Sequence, residues 1–180
     1  MSAPRTLARC IHEGMDYPSP ISRVLALGYY DGPINGVLQW GEAGAVYKFD
    51  YVFDLIDGAT APDNGLLDLR VFTLAPLPPN ALTDLAAAYS RFWPPRWPVW
   101  VPMWQFANKA DEAAMNRLTD QVLKQAGPAN WVLAAYDLTE TIRAAKSVTP
   151  QDLAQVTDWF AFFGIEKPSA IQAKEDHPRE

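Results

Sequence analysis

Residues 24–53, VLALGYYDGPINGVLQWGEAGAVYKFDYVF, decide the fold. The stretch contains three β-prone runs, at 24–30, 37–40 and 46–53, with glycine-containing turns at 31–36 and 41–44. In the third run, aromatic side chains recur at every second position, as expected for a strand with one buried face. Short runs joined by turns of this kind predict an antiparallel meander.

Outward from this stretch, the pattern predicts an α+β fold, in which an antiparallel meander of about four to five strands is packed by three to four helices. Two further strands are predicted at 69–74 and 131–136, the first of them after a surface loop at 54–65. Helical spacing and helix-end signals occur at 4–15, 80–92, 111–126 and 149–163. Asn80 and Thr149 are the expected N-caps, and Asp137 with Glu140 three residues later predicts a further short helix.

Length and composition predict one globular domain over 1–167, followed by a disordered polar tail over 168–180. Although 49% of the 180 residues are hydrophobic, no apolar run is long enough for a membrane span, and charged residues interrupt the N-terminal region where a signal peptide would be apolar. We therefore expect no membrane partner. Cys10 is a single cysteine without an internal disulfide partner, so we expect a cytoplasmic location. The net charge of −6 argues against nucleic acid as a partner.

The residues needed for metal or histidine chemistry are scarce. Cys10 and His12 form an isolated pair, and the second histidine, His177, lies in the predicted tail. The sequence has no G-x-x-x-x-G-K-[ST] phosphate loop and no G-x-G-x-x-G motif. We therefore predict no metal site and no cofactor.

The first candidate ligand site is the turn after the first β-prone run. Tyr29, Tyr30 and Asp31 place two phenols and a carboxylate beside a glycine-containing loop, a setting in which binding residues are common. The same residues also suit a purely structural turn with core tyrosines. The acids Asp50, Asp54 and Asp57 succeed one another near the end of a strand, where they could act as general acid and base, bind a hard cation such as Mg²⁺, or simply be solvated. If the ligand carries an anionic group, Arg70 or Arg143 could bind it.

The second candidate is the tryptophan strap, which we define as residues 93–104, WPPRWPVWVPMW. Its prolines exclude a helix and the middle of a sheet, so we expect an extended course at a sheet edge or across the surface. A strand-like course would place Trp100 and Trp104 on one face and Trp97 on the other. The strap is either internal packing or a contact surface in which these three indoles and Arg96 bind a partner.

These features support two functional hypotheses. The first is a non-catalytic binding or assembly module, forming a homo-oligomer or binding a protein partner through the strap. The alternative is a small-molecule-binding domain or an enzyme, with a pocket lined by tyrosine and aspartate near 29–33 and 50–57. The first predicts an apolar contact between chains, and the second predicts a concave pocket that gathers polar side chains.

Overall fold

The computed structural model describes residues 17–41, 44–56, 68–102 and 105–167. In these ranges the strands are β1 (Tyr17–Pro18), β2 (Ile21–Tyr29), β3 (Pro33–Trp40), β4 (Val46–Ile56), β5 (Leu69–Leu77), β6 (Val99–Trp100), β7 (Trp131–Asp137) and β8 (Thr141–Ser147). The helices are α1 (Ala81–Tyr89), α2 (Lys109–Leu123), α3 (Pro150–Gln155) and α4 (Trp159–Phe163). The predicted helix at 4–15 and the predicted tail at 168–180 lie outside the described residues.

The strands form one sheet with the order β1-β8-β7-β5-β4-β3-β2-β6. All neighbours pair antiparallel except β6, which runs parallel to β2. The α+β class is therefore confirmed, and β2 to β5 form the predicted meander. The sheet is larger than the predicted four to five strands. The reason is that the signal after Asp137 predicts a helix instead of β8, and the two-residue strands β1 and β6 carry no recognisable sequence pattern.

The sheet curls until its two edges meet. β1 pairs with β8 at one edge, yet only Ser19 and Pro20 separate β1 from β2 near the other edge. Ser19 holds the β1–β2 connection against the β7–β8 turn. Its backbone N–H donates to the Glu140 carbonyl, and its hydroxyl donates to the Leu138 carbonyl. Farther along β2, at Val24, the free edge is taken by β6 instead of β8. The edges therefore join at one corner and separate beyond it.

The curl divides the core into an inner and an outer part. Within the described ranges, the inner cluster consists of residues from the strands and their connections, including Phe49, Phe72 and Leu133, and contains no helical residue. Outside the sheet, α1 and α2 cover one region together with Trp100. The helix α4 covers the other through Phe163. Because successive strand residues point to opposite faces, each central strand contributes to the inner cluster and to an outer one.

The predicted short helix after Asp137 is wrong, because this segment is the turn between β7 and β8. The Asp137 carboxylate accepts hydrogen bonds from the backbone N–H groups of Thr139 and Glu140 and from the Thr139 hydroxyl. An aspartate that binds backbone N–H groups two and three residues on can open either a helix or a tight turn. The sequence signal is the same for a helix start and for a tight turn. The segment forms a turn because β8 pairs antiparallel with β7 directly after it.

The predicted helix over 149–163 is two short helices. Thr149 forms the expected capping box with Asp152, but Val156 has extended backbone angles and ends α3. Asp158 then caps α4, which closes at Gly164 in the left-handed conformation. Asn80 occupies the expected N-cap position of α1, but its side chain makes no capping hydrogen bond and donates instead to the Asp84 carboxylate.

The predicted turn over 31–36 is shorter than expected, because β3 already begins at Pro33. No helix in the described ranges is both long and apolar enough to cross a membrane.

Candidate functional site

A cleft of about 340 Å³ opens where the edges of the sheet separate. The β2–β3 hairpin forms one wall, the β7–β8 turn forms the opposite wall, and the start of β5 lies between them. The lining residues are Tyr29, Asp31, Gly32, Pro33, Asp68, Arg70, Phe72, Val99, Tyr136, Asp137, Leu138 and Glu140. Phe72 and Leu138 also belong to the inner cluster, so the cleft extends to the apolar core.

Arg70 is the central polar group of the cleft, and its residue exposure is 9%. Its Nε lies 3.3 Å from an Asp54 carboxylate oxygen, and its Nη2 lies 3.7 Å from Asp68. Its Nη1 donates to the backbone carbonyl of Tyr30 over 3.3 Å. A buried guanidinium requires such acceptors, because removing a charge from water without a partner is costly. Arg70 therefore ties β4 and the tip of the β2–β3 hairpin to β5.

The hairpin tip fits closely over this guanidinium. Asp31 has a φ of 48°, a value that asparagine and aspartate adopt more readily than other L-residues, and Gly32 has a φ of 136°, which L-residues rarely adopt. A Cβ atom on Gly32 would lie 2.5 Å from Nη1 of Arg70. Glycine at this position permits both the turn and the approach of the arginine.

Tyr51 on β4 is not part of the cleft lining but lies near Arg70, whose guanidinium carbon is 6.0 Å from the centre of the Tyr51 ring. Burial, followed by the charge and hydrogen bonding of Asp54, raises the pKa of the Tyr51 phenol, and Arg70 opposes this change. The phenol is therefore protonated at neutral pH and can donate a hydrogen bond, but it cannot act as a general base there.

No family model, curated protein or solved structure matches this chain.

The structure brings together some, but not all, of the predicted ligand-site residues. Tyr29 and Asp31 line the cleft, whereas the side chain of Tyr30 is 76% exposed at the hairpin tip and only its carbonyl contacts Arg70. Asp50 does not line the cleft and instead pairs with Lys48, with 2.7 Å between Nζ and Oδ2. Asp57 lies outside the described residues.

Of the two arginines considered for an anionic group, Arg70 reaches the cleft and Arg143 lies half-buried on β8 away from its lining. The prediction missed Asp68, Tyr136, Asp137 and Glu140. The local pattern marks Asp137 and Glu140 only as helix-capping residues, and pairing across the curled sheet, which brings them opposite the β2–β3 hairpin, has no local sequence signal.

The tryptophan strap runs along the sheet edge, as expected, but its indoles do not alternate between faces as predicted. Trp97 is half-buried and packs edge-to-face on Trp100, with ring centres 5.5 Å apart. Trp100 is 2% exposed beneath α1 and α2, so its side chain is internal. Arg96 is exposed, and Trp104 lies outside the described residues. Both Trp97 and Trp100 face the outer cluster. Trp97 precedes the two paired residues of β6, so its side chain does not follow the alternation between faces that a strand imposes.

Proposed function

We propose that this chain binds a small organic molecule in the cleft between the β2–β3 hairpin and the β7–β8 turn. The observation that carries the proposal is Arg70, a nearly buried cation that holds the hairpin tip in place beside an open cleft. A pocket formed in advance by such fixed groups is the usual form of a ligand site.

The size and lining of the cleft support this proposal. A volume of about 340 Å³ lies at the lower end of the range for drug-sized ligands, which is roughly 300–1,000 Å³. Its walls combine aromatic surface from Tyr29 and Phe72 with carboxylates, so they offer both apolar contact and directional hydrogen bonding.

A cleft-filling variant tests the proposal. Val99 lines the cleft on the short edge strand β6, whereas Val101 lies two residues later, is 37% exposed and is not part of the lining. In a fragment screen read by amide NMR shifts, hits should perturb the amides of Gly32, Arg70 and Tyr136 together. Val99→Trp should weaken these hits by about tenfold or more by filling the space, and Val101→Trp should leave them unchanged.

Two outcomes would contradict the proposal. A screen with no hit at these amides, or hits that Val99→Trp leaves intact, would remove the cleft as a ligand site. Far-UV circular dichroism and thermal melts of both tryptophan variants would confirm that they remain folded.

The second candidate function is association with another copy of this chain through the outer side of the strap. It is favoured by Phe92, which directly precedes the strap, and by Val101 within it. Their exposed fractions are 38% and 37%, and Pro94, Pro95 and Arg96 between them are also exposed. Aromatic and arginine side chains such as those of Phe92 and Arg96 are enriched in protein interfaces. Sedimentation velocity tests it: a chain that stays monomeric at concentrations of about 100 μM has no homo-oligomeric contact of useful strength.

A further inference from the structure

We infer that the ligand of the cleft is an organic cation, such as a primary ammonium attached to an aromatic or apolar body. This inference rests on the proposed function and specifies its ligand class. Four carboxylates line the cleft, from Asp31, Asp68, Asp137 and Glu140, whereas Arg70 is the single cationic side chain among the described lining residues.

The positive charge of Arg70 is already matched by protein groups. Its guanidinium faces Asp54 and Asp68 and donates to the Tyr30 carbonyl, and 11% of the side chain is exposed. An anionic ligand would have to displace these partners and would then face the remaining carboxylates. The lining therefore repels anions and attracts cations.

The remaining carboxylates lie on opposite walls. Asp31 is at the tip of the β2–β3 hairpin, and Asp137 and Glu140 flank the β7–β8 turn. In the described parts of the chain, no three His, Cys, Asp or Glu side chains are grouped closely enough to hold a metal ion. Carboxylates distributed around a cleft of this volume suit an extended organic cation better than a compact metal ion, which needs several ligands at about 2–2.6 Å.

The aromatic lining supports the same ligand class. Tyr29, with 44% of its surface exposed, and Phe72, at the apolar side, supply the aromatic lining, and Tyr136 also lines the cleft while packing against the outer cluster beneath α4. The faces of such rings attract ammonium groups through their quadrupoles, and they also provide contact area for a planar body. Carboxylates and aromatic rings together recognise both parts of an aromatic amine.

A matched set of three phenols tests the inference: tyramine is cationic, tyrosol replaces its ammonium with a neutral hydroxyl, and 4-hydroxyphenylacetate is anionic. Titrations of the full chain, followed by amide NMR, should give tyramine an affinity about five- to tenfold above that of tyrosol, with 4-hydroxyphenylacetate weakest. Raising the salt concentration should weaken tyramine more than tyrosol, because screening acts on the charge.

Carboxamide variants identify the groups responsible. Asp31→Asn combined with Glu140→Gln should lower tyramine affinity about fivefold or more and leave tyrosol unchanged, while Asp50→Asn, outside the lining, should change neither.

The possible failures are distinguishable. If tyrosol or 4-hydroxyphenylacetate binds in the cleft as tightly as tyramine, the cation inference is overturned and the ligand site remains. If none of the three shifts the cleft amides while fragments from the general screen do, the cation inference is again overturned without loss of the site. If neither set shifts them, the ligand-binding proposal fails as well.

Discussion

At the residue scale, the cleft depends on a close fit between Gly32 and Arg70. Gly32 combines a φ of 136° with a space in which a Cβ would lie 2.5 Å from Nη1. The neighbouring atom is the end of a flexible side chain, which could normally move away. Here it is held by Asp54, Asp68 and the Tyr30 carbonyl, so movement would break those contacts.

Substitution of Gly32 should therefore be costly for two reasons. Gly32→Ala should destabilise the fold by about 2–3 kcal/mol, and Gly32→Val by at least as much, because backbone strain adds to displacement of Arg70. The control is Gly41→Ala, because Gly41 has a φ of 76° but no atom lies within 4 Å of a Cβ built there. This variant should lose only the folding stability that backbone strain costs, about 1 kcal/mol. Urea denaturation measures the loss of stability in both variants. Equal losses for Gly32→Ala and Gly41→Ala would show that the Arg70 side chain moves aside without a cost in stability.

Removal of the guanidinium should have a moderate effect. Arg70→Met should cost about 1–3 kcal/mol, less than the loss of a partner in a fully buried pair, because the Asp54 and Asp68 side chains are 34% and 35% exposed and can be hydrated. Arg70→Lys keeps the charge but lacks the planar fork, so it should be intermediate. Denaturant melts test this order, and amide shifts at Asp31 and Gly32 should change in both variants. A lysine variant as unstable as the methionine one would contradict the charge contribution.

At the element scale, the central strands were more predictable from sequence than the segments that connect and extend them. Alternating or continuous apolar runs are enough to locate β2, β4, β5 and β7, because burial on a sheet requires them. The segment Thr141–Ser147 reads TIRAAKS, which is short, partly charged and rich in alanine, and it becomes β8 only because β7 offers it a partner. A short strand of weak propensity is fixed by tertiary context.

Only the part of the candidate site on the β2–β3 hairpin was predictable from sequence, for the same reason. Tyr29 and Asp31 are close together in sequence, so a local pattern identified them. Arg70, Asp137 and Glu140 join them through pairing of β5 with β7 and through curling of the sheet, and these depend on contacts between segments far apart in the chain.

The capping box of α3 provides a pH test at the element scale. The Thr149 backbone N–H and hydroxyl both donate to Asp152 and lower the pKa of its carboxyl. A pKa that is lower in the folded state adds stability above the unfolded value, near 3.9, and this contribution is lost as pH falls through the folded value. Asp152→Asn should therefore be less stable than the wild type at neutral pH, with the difference shrinking below about pH 4.

Urea midpoints measured from neutral to acidic pH give the comparison, with Asp120→Asn on α2 as an exposed control that should parallel the wild type. A difference between Asp152→Asn and the wild type that stayed constant down to the lowest pH would exclude an ionised Asp152 as its cause.

At the scale of the whole molecule, the curl of the sheet connects the strap to the cleft. β6 adds to the edge of β2, where Val99 faces the cleft and inner cluster while Trp100 faces the outer cluster. A two-residue strand therefore contacts both sides of the sheet. Packing of Trp100 under α1 and α2 fixes the strand that contributes Val99 to the lining of the cleft.

The position of Trp100 decides how the strap should respond to truncation. Because it is 2% exposed and contacts Tyr89 and Trp97 edge-to-face, Trp100→Ala should cost about 3–5 kcal/mol of folding stability through lost burial and a new cavity. Trp97→Ala should cost less, about 1–3 kcal/mol, since Trp97 is only half-buried and its ring also contacts the exposed Arg23.

An assembly surface would behave differently, because truncation would lower association and leave the melting of the monomer unchanged. Denaturant melts and sedimentation of both variants distinguish these cases. Early melting of Trp100→Ala with unaltered sedimentation would assign this indole to the core, whereas dissociation of an oligomer without loss of monomer stability would contradict the internal role.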